Sequence, residues 1–490
     1  MASLDISIVN AALPTIQGEI GASGSEGTWV ATSYLVAEII IIPLSAWFER
    51  MLGLRRFLLL AAVLFTIFSV VCGLSDNLNT MIFGRVGQGF TGGAMIPTAM
   101  SIIARRLPPS QQPVGTAIFG GTIILGPILG PLVGGWLTEN LSWHYAFFLN
   151  VPICIFLVGL LLVGLKGRKM ELGELLEADW AGVIGLALGL GALTVVLEEG
   201  HREQWFESAY IIKLALASAG GFLLLAWGQF TALRPVIKLS LIGEREFAAV
   251  MLLSLLVGVI LYGVAYVIPQ FVAAIAGYNA LQAGQIVLLS GLPALVLLPL
   301  LPVAVRVLDL RLVVGAGVLL MALGCYLTTG LTAQSAGGDF VVSQLIIGSG
   351  EVMAMVFLNQ AAISSVKPRD AGDASGLFNA ARNLGGSIGL AVLATMQDSN
   401  WAVHRWEIQS VLSPTDPRVQ ASIQQMAAGF GGGPQGISAA YRMLDGQIQV
   451  DALVMAFNDN FFVLAVACVA LTPLIFLLRP LPKNFEMAMH

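Results

Sequence analysis

The chain has 490 residues, of which 57% are hydrophobic and only 11% are charged. A soluble protein of this length would have too little polar surface to stay dissolved, so the composition indicates a polytopic membrane protein. The net charge of −5 offers no basic surface to nucleic acid. We therefore predict membrane lipid, and no nucleic acid, as a partner.

Fourteen apolar runs approach the roughly 20 residues that a helix needs to cross a bilayer. The first run is shorter than the others, and we expect the natural chain to start upstream, inside the same helix. The pattern predicts an all-α membrane protein with fourteen transmembrane helices. The runs are 1–16, 29–48, 57–74, 78–104, 114–137, 145–165, 180–197, 210–230, 247–273, 283–305, 312–331, 340–364, 375–396 and 461–478.

The basic residues alternate along the chain in the way that sets membrane orientation. Of the 24 Lys and Arg residues, 17 lie in loops that follow even-numbered helices. Because Lys and Arg collect in cytoplasmic loops, both termini are expected in the cytoplasm. The long polar segment 397–460 is then expected to be a periplasmic loop.

Cysteine and histidine patterns favour no catalytic or metal chemistry. The four cysteines fall in four different apolar runs without CxxC spacing, which is typical of small core residues. The four histidines are scattered, and no Gly-rich loop precedes a GK[ST] that could bind ATP phosphates. We predict no enzyme activity, no metal and no cofactor. The energy for the function of the protein must then come from an ion gradient. A membrane enzyme or sensor would instead need a polar catalytic cluster.

A repeat relates two distant parts of the chain. The stretch "PLSAWFERMLGLRRF" from Pro43 aligns without gaps with "PLLPVAVRVLDLRLV" from Pro299, so that Arg50 matches Arg306. Both stretches join a helix end, a short basic loop and a helix start on the same side of the membrane. They indicate two parallel halves related by an axis along the membrane normal.

The repeat also divides the chain into domains. An N-terminal six-helix bundle is predicted at 1–165, followed by a linker and two inserted helices at 166–230. A second six-helix bundle is predicted at 231–490 and carries the periplasmic loop.

Several spaced motifs resemble one family over the whole chain. They are "SLDISIVNAALPTI" (3–16), "GRVGQGFTGG" (84–93), "LGPILGPLVGGW" (125–136), "SWHYAFFLNVPICI" (142–155) and "NAARNLGGSIG" (379–389). The chain resembles the major facilitator superfamily, and within it the fourteen-helix drug:proton antiporters of the multidrug efflux permease type. The resemblance implies the major facilitator fold of two six-helix bundles plus two inserted helices.

The resemblance also implies a function and partners. It suggests export of amphipathic drugs or toxic compounds against protons across the bacterial inner membrane, and hence antibiotic resistance. A periplasmic adaptor and an outer-membrane channel are the implied protein partners, with the Gly-rich "GFGGGPQG" at 429–436 as a candidate adaptor contact. The alternative is an exporter or importer of one metabolite, such as a siderophore or an organic acid.

The motif in the fifth run combines residues that weaken helices. Its glycines recur every four residues, which leaves a bare stripe where another backbone can approach closely. Its prolines remove helical hydrogen bonds and predict a bend. In the family this helix packs where the two halves meet, although a generic tight contact is the simpler reading. The motif residues are Gly126, Pro127, Gly130, Pro131, Gly134 and Gly135.

Ionisable residues inside apolar runs require a reason, because each costs about 2.5 to 3.5 kcal/mol on insertion scales. Asp5 lies in the first-helix motif and can bind and release a proton, or it can act as a structural cap. Arg85 stays charged, and its match to the family motif implies a role in proton coupling. Structural pairing with an acid is the alternative for Arg85.

Three further ionisable residues lie inside apolar runs. Glu38 is a candidate second proton site or a contact for cationic substrates, and a local hydrogen-bonded pair is equally compatible. Glu351 and Arg382 are candidates for the cavity, and a mutual ion pair is the simpler reading for them.

The loop between the second and third helices resembles the cytoplasmic gate motif but departs from it. The opening glycine position holds Ala46, and the usual acid position holds Arg50. This departure weakens the expectation of a charge relay that locks the inward gate. The gate-loop residues are Glu49, Arg50, Gly53, Arg55 and Arg56.

Overall fold

A computed structural model describes residues 2–108, 111–165, 178–232, 235–367, 370–413 and 415–478. Throughout these segments the regular structure is helical. The long helices are α1 Ala2–Glu19, α2 Trp29–Leu52, α3 Leu54–Gly73, α4 Leu78–Arg106, α5 Gln112–Asn140, α6 His144–Gly164, α7 Trp180–Glu199, α8 Ala209–Thr231, α9 Arg245–Ala274, α10 Ala280–Leu288 continued by Leu292–Val307, α11 Leu310–Leu327, α12 Val341–Ser364, α13 Ala371–Val411 and α14 Gly433–Leu471.

Each of the fourteen predicted apolar runs falls on one of these helices. By length and composition, ten of the helices in the described segments could cross a membrane on their own. Helices α1, α4 and α13 carry the buried ionisable residues Asp5, Arg85 and Arg382. They pack against α5, α2 and α9 respectively, so these polar side chains are sheltered by neighbouring helices instead of facing lipid.

Local sequence explains where several helices begin and end. The side chains of Asn77 and Asp179 accept hydrogen bonds from the backbone N–H groups of Thr80 and Gly182, at 2.9 and 2.7 Å, and so cap α4 and α7. Gly53 alone joins α2 to α3 with φ of 76°. A side chain would strain this left-handed conformation, which explains the glycine in the gate loop.

The helix pairings of the first half recur in the second. Helix α1 packs on α5, α2 on α4, α3 on α4 and α3 on α6; correspondingly, α9 packs on α13, α10 on α12, α11 on α12 and α11 on α14. This correspondence agrees with the parallel repeat read from the loop sequences. The predicted fold class of two six-helix bundles with two inserted helices is confirmed.

Equivalent helices form the contact between the halves. Helix α13 packs against α2 and α4, and its counterpart α5 packs against α10 and α12. The inserted helices α7 and α8 pack mainly on each other, and α7 also contacts α2 and α13. The inserted pair therefore touches both halves. The division at residues 165 and 230 stays a prediction, and residues 166–177 lie outside the described part of the chain.

The segment 397–460, expected to be a loop, is mostly helical. Helix α13 continues to Val411, a short helix covers Pro417–Gly429, and α14 begins at Gly433. We call this part of the molecule the helical extension. Its two long helices are tied by polar contacts such as the Arg405–Asp445 ion pair at 3.0 Å. The prediction of a loop was therefore wrong for most of this segment, because polar composition here belongs to continuing helices.

Candidate functional site

Asp5 and Arg85 form a fully buried ion pair. Oδ2 of Asp5 lies 2.7 Å from Nη1 of Arg85, and both side chains have no exposed surface. Asp5 comes from α1 and Arg85 from α4, so the pair ties two helices of the first half. Both residues are separate candidates in the sequence, and the structure brings them together.

A shell of amides and hydroxyls completes this pair. Oδ1 of Asp5 accepts a hydrogen bond from Nδ2 of Asn150 at 2.5 Å, and Oε1 of Gln88 accepts one from Nη1 of Arg85 at 3.0 Å. Gln88 also donates to Oγ of Ser69 at 2.7 Å. Charges removed from water are tolerated when hydrogen bonds satisfy their remaining polar atoms, and this shell satisfies most of them, whereas Nη2 of Arg85 has no partner among the described residues.

Arg85 also reaches the second helix. Its Nε donates to the carbonyl oxygen of Val30 at 2.9 Å, and its guanidinium lies 4.3 Å from the centre of the Tyr34 ring. A cation over an aromatic face is attracted by the ring quadrupole. Movement of Arg85 is therefore linked to α2 as well as to α1.

A cavity of about 430 Å³ lies beside this network. Its lining is mostly apolar, but Glu38, Tyr262 and Arg382 contribute polar atoms. Glu38 and Arg382 come from α2 and α13 and so belong to different halves. The structure thus brings two of the candidate residues to one cavity between the halves.

Glu351 and Arg382 do not form the ion pair that was the simpler reading. Both side chains are buried, and the contacts described for Arg382 include only a hydrogen bond from Nη2 to Oδ1 of Asn383 at 3.4 Å. Arg382 instead lines the cavity together with Glu38.

The glycine stripe of α5 packs within the first half. A Cβ atom added at Gly130 would lie 2.1 Å from Cβ of Ser7, and one at Gly134 would lie 2.7 Å from the carbonyl oxygen of Ile8. The stripe therefore permits close approach of α1, the helix that carries Asp5. Gly126 is buried, whereas the side chains of Pro127 and Pro131 lie outside the described part of the structure.

Other residues of α5 contact the second half. A Cβ at Gly120 would meet the Val356 side chain at 2.8 Å, and Oγ1 of Thr116 donates to Oε1 of Gln360 at 3.1 Å. On the same side, Gly135 lies near Leu281, at 3.7 Å from an added Cβ. Helix α5 thus uses one part of its surface for α1 and another for the contact between the halves.

The gate loop carries two ion pairs. Nη1 of Arg50 lies 3.1 Å from Oδ2 of Asp373 at the start of α13, and Glu49 pairs with Arg105 at 3.1 Å. Lys238 forms a further ion pair with Asp370. We call the end of the bundle that contains these residues the basic face. A charge network joins the halves there in spite of the sequence departure at Arg50.

The remaining gate residues have more local roles. Nη2 of Arg55 donates to the carbonyl oxygen of Leu162 at 3.2 Å, and Arg56 is exposed. Across the same face, Oγ of Ser375 donates to the carbonyl oxygen of Pro97 at 3.2 Å. This contact closes the basic face between α13 and α4.

Sequence reasoning missed several residues of these networks. Gln88 and Asn150 lie inside the quoted motifs but were not singled out, and motif membership was the available signal. Asp373 follows a basic loop at a helix start, and Glu198 directly follows the seventh apolar run, beside Glu199. Tyr262 carried no signal. In the described part of the chain, no three His, Cys, Asp or Glu side chains are placed to hold a metal ion.

Glu198 and Glu199 connect the inserted pair to the two halves. Oε1 of Glu198 accepts a hydrogen bond from Oγ of Ser387 on α13 at 2.7 Å. Oε1 of Glu199 accepts one from Oγ1 of Thr32 on α2 at 3.3 Å. Two adjacent acids thus hold α7 against one helix from each half.

Comparison with known proteins agrees with this architecture. The Major Facilitator Superfamily pattern matches residues 1–390. The colistin resistance protein EmrB of Acinetobacter baumannii is 32% identical over 472 residues, covering 95% of this chain and 91% of the relative. The multidrug export protein EmrB of Escherichia coli K12 is 32% identical over 487 residues, covering 98% and 93%.

A solved structure shares the fold at low sequence identity. The proton:xylose symporter XylE, bound to 6-bromo-6-deoxy-D-glucose, superposes with a TM-score of 0.60 at 15% identity, covering 97% of this chain and 92% of that one. Identity at this level supports the fold alone. Together with the family match over most of the chain and the two full-length relatives, it leads to one assignment: this membrane-spanning chain belongs to the Major Facilitator Superfamily.

Proposed function

We propose that this protein is a proton-coupled antiporter that exports amphipathic drugs or toxic compounds across the bacterial inner membrane. The buried Asp5–Arg85 pair carries the proposal. A proton on Asp5 would remove the negative charge, while Arg85 would stay cationic. The hydrogen bond of Arg85 to Val30 of α2 would then be free to rearrange, which couples proton binding to helix position.

A group that couples protons to transport must bind the proton differently in the two conformations. Asn150 and Gln88 both donate hydrogen bonds to the Asp5 carboxylate, so the surroundings that a proton would meet at Asp5 depend on how α1, α4 and α6 are positioned.

The mostly apolar cavity supports amphipathic substrates over a single polar metabolite. The names of the relatives, a multidrug export protein and a colistin resistance protein, point the same way. Such a transporter binds its substrate without chemical change, so we propose no catalytic role for Asp5 or Arg85.

The proposed orientation follows the basic residues. With the basic face in the cytoplasm, both termini are cytoplasmic and the helical extension is periplasmic. The closed basic face, with its Arg50–Asp373 pair, then corresponds to a state sealed toward the cytoplasm.

We also propose that the helical extension docks a periplasmic adaptor, which in turn meets an outer-membrane channel. The extension exposes large apolar side chains at Trp406, Val411 and Phe430, and apolar groups on an otherwise polar surface mark protein contacts. Phe430 lies in the Gly-rich segment singled out from the sequence.

Transport in proteoliposomes tests the function. The purified protein is reconstituted, a pH gradient is imposed, and uptake of a panel of amphipathic cations, anions and neutral compounds is followed. We expect accumulation against a concentration gradient that collapses when an ionophore removes the pH gradient. Equal transport with and without the pH gradient would contradict proton coupling.

A further inference from the structure

The cavity at Glu38 and Arg382 extends to the outer surface of the first half. Its lining includes Met95 and Ala99 of α4 and Phe119 of α5, and it continues along α6 to Phe156 and Leu160. The Asn150–Gly164 part of α6 packs mainly against α3. A gap is thereby left between α6 and the helices α4 and α5.

The two ends of this gap differ in exposure. Phe156 is 69% exposed and Leu160 is 55% exposed, whereas Glu38 and Arg382 are only 2% and 4% exposed. Helix α6 is among those apolar enough to cross a membrane, so its exposed side chains face hydrocarbon. The gap is therefore a lateral opening that leads from the bilayer to the polar centre.

Polar groups at the inner end have unused hydrogen-bonding capacity. Nε and Nη1 of Arg382 have no acceptor among the residues that the structure describes. The Glu38 carboxylate lines the same cavity, and no ion pair joins it to Arg382 among the described residues. Buried polar groups are normally satisfied, so unsatisfied guanidinium nitrogens that share one cavity with a carboxylate indicate a ligand.

We propose that this gap is a lateral substrate path for single-chain amphiphiles with a dipolar head, one that carries both a cationic or donor group and an acceptor group. The apolar chain lies between α6 and the α4–α5 pair. The acceptor group of the head meets Arg382, and the cationic group meets Glu38. This inference names the substrate class of the proposed exporter and rests on that function.

A dipolar head suits this site better than a single charge. An anion alone would satisfy Arg382 but lie close to the Glu38 carboxylate, and a cation alone would face Arg382 in the same way. Like charges at short range repel strongly where water is excluded. The cavity volume of about 430 Å³ falls within the range of small-molecule sites, which favours one acyl chain over a whole phospholipid.

Lateral entry follows from the position of the opening. An amphiphile dissolved in the bilayer already has its chain in hydrocarbon, so it can slide between α6 and α4 without passing through water. Only the head group has to leave the membrane interface. It then contacts Arg382 and Glu38, which replace the water molecules that solvated it.

The head is tested with three probes that share a dodecyl chain: dodecyl betaine, dodecanoate and dodecyltrimethylammonium. Equilibrium binding to protein in phosphatidylcholine nanodiscs is measured without a pH gradient. We expect the betaine to bind most tightly. Arg382→Gln should weaken binding of the betaine and of dodecanoate by about tenfold and leave binding of dodecyltrimethylammonium unchanged. Glu38→Gln should weaken binding of the betaine and of dodecyltrimethylammonium and leave binding of dodecanoate unchanged.

Arg382→Lys keeps the positive charge and guards against a folding defect. It should retain most of the dodecanoate binding, and thermal unfolding of each variant shows whether the protein remains intact. Equal effects of both neutral variants on all three probes would overturn the assignment of the head. Loss of betaine binding when phosphatidylglycerol is added to the nanodiscs would instead assign the site to a bilayer lipid and would also overturn the proposal.

The path is tested by adding bulk to it. Ala99→Trp places an indole in the gap, and Thr122→Trp does so from α5. The matched control is Ile155→Trp, because Ile155 lies on α6, is 67% exposed and does not line the cavity. We expect betaine to bind to the two blocking variants at least about tenfold more slowly than to the wild type. Betaine should bind to the Ile155→Trp control at the normal rate.

These outcomes separate the inference from the function on which it rests. Suppose that the wild-type protein exports amphiphiles against a gradient and that the betaine enters Ala99→Trp and Thr122→Trp at the normal rate. The lateral path is then wrong, and the proposed antiporter function stands. If the wild-type protein shows head-dependent binding but no gradient-driven transport, the binding site stands and the antiporter is wrong.

Discussion

Nη1 of Arg50 donates hydrogen bonds to both carboxylate oxygens of Asp373, at 3.3 and 3.1 Å. Arg50 lies in the last turn of α2 in the first half, and Asp373 lies in the first turn of α13 in the second. Nη2 of Arg50 also donates to the carbonyl oxygen of Val236, which precedes α9, at 3.3 Å. The side chain of Arg50 thus links the two halves at the basic face through an ion pair and hydrogen bonds.

Breaking this pair should loosen the basic face. In Arg50→Gln the buried Asp373 carboxylate loses its charge partner, which costs stability in the closed arrangement. A cysteine at the buried position Ala371 reports the change, and we expect its alkylation in inside-out vesicles to become about tenfold faster. The exposed Arg56→Gln is the matched control.

Restoring the pair in reversed orientation separates charge from shape. The double variant Arg50→Asp, Asp373→Arg should recover part of the protection that either single variant loses, with a coupling energy of about 0.5 to 3 kcal/mol. Additive effects of the two substitutions would show that the pair does not hold the gate.

Asp5→Asn should uncouple transport from protons. Asn keeps the size and a hydrogen-bonding group but does not titrate, so substrate binding should persist while export driven by a pH gradient is lost. The measurement is uphill transport in proteoliposomes. Glu139→Gln, which neutralises an exposed acid at the end of α5, is the control.

Asp5→Asn also leaves the buried Arg85 charge uncompensated, so its thermal unfolding must be compared with that of the wild type. Asp5→Glu keeps a titratable carboxylate and should retain some coupled transport. Normal pumping by an intact Asp5→Asn protein would transfer the coupling role to Glu38 or Glu351.

Gly130→Leu should impair export by disturbing the contact between α5 and α1. The added side chain would run into Ser7, and overpacking of this kind costs about 1 to 3 kcal/mol. Drug resistance and thermal stability should both fall although the protein is made and inserted. Gly159→Leu is the control, because a Cβ there meets nothing within 4 Å. Unchanged resistance in Gly130→Leu would refute the need for close helix approach.

A cysteine at Ser413 should report the side on which the helical extension lies. Ser413 is exposed, and the four native cysteines are buried. We expect Ser413→Cys to react with an impermeant thiol reagent in whole cells, and Arg56→Cys on the basic face to react only after lysis. The opposite pattern would invert the proposed orientation.

His404 gives the helical extension a predicted pH dependence. Partial burial acts to lower the pKa of His404, but hydrogen bonds to the carboxylates of Asp459 and Glu407 outweigh it, so the net pKa is raised. Nε2 of His404 lies 2.7 Å from Oδ2 of Asp459. The protonated imidazole thus holds α13 to α14 outside the membrane.

For a group whose folded-state pKa is raised, the stabilisation is fully present below the unfolded value, about 6.5 for histidine. It is lost as the pH rises through the folded-state pKa. Asp459→Asn should therefore lower the thermal stability of the protein at pH 5.5 and have a smaller effect at pH 8.5. Asp451→Asn, at an exposed site on α14, is the control. A loss of equal size at both pH values would show that His404 does not titrate against Asp459.

Much of the architecture could be predicted because it depends on local patterns. Helix number follows from the length of apolar runs, and the two halves follow from the repeat at Pro43 and Pro299, since both are properties of the chain taken in order. Arg85 and Asp5 stood out because an ionisable residue in an apolar run is costly wherever the chain folds. The polar segment 397–460 was read as a loop because composition shows where the membrane ends, not whether a helix continues past it.

Only the tertiary structure decided which of these residues meet. Periodicity shows that Gly130 and Gly134 share one face of a helix, but not that this face meets α1 while Gly120 meets the second half. The sequence makes Arg382 a candidate for a cavity or for an ion pair with Glu351, and in the structure it lies at a cavity with Glu38, a residue more than 300 positions away in the chain. The sequence by itself determined which residues are too polar or too small for lipid. Their partners were decided by the packing of helices from distant parts of the chain, because each helix has several faces and any of them can satisfy the same local pattern.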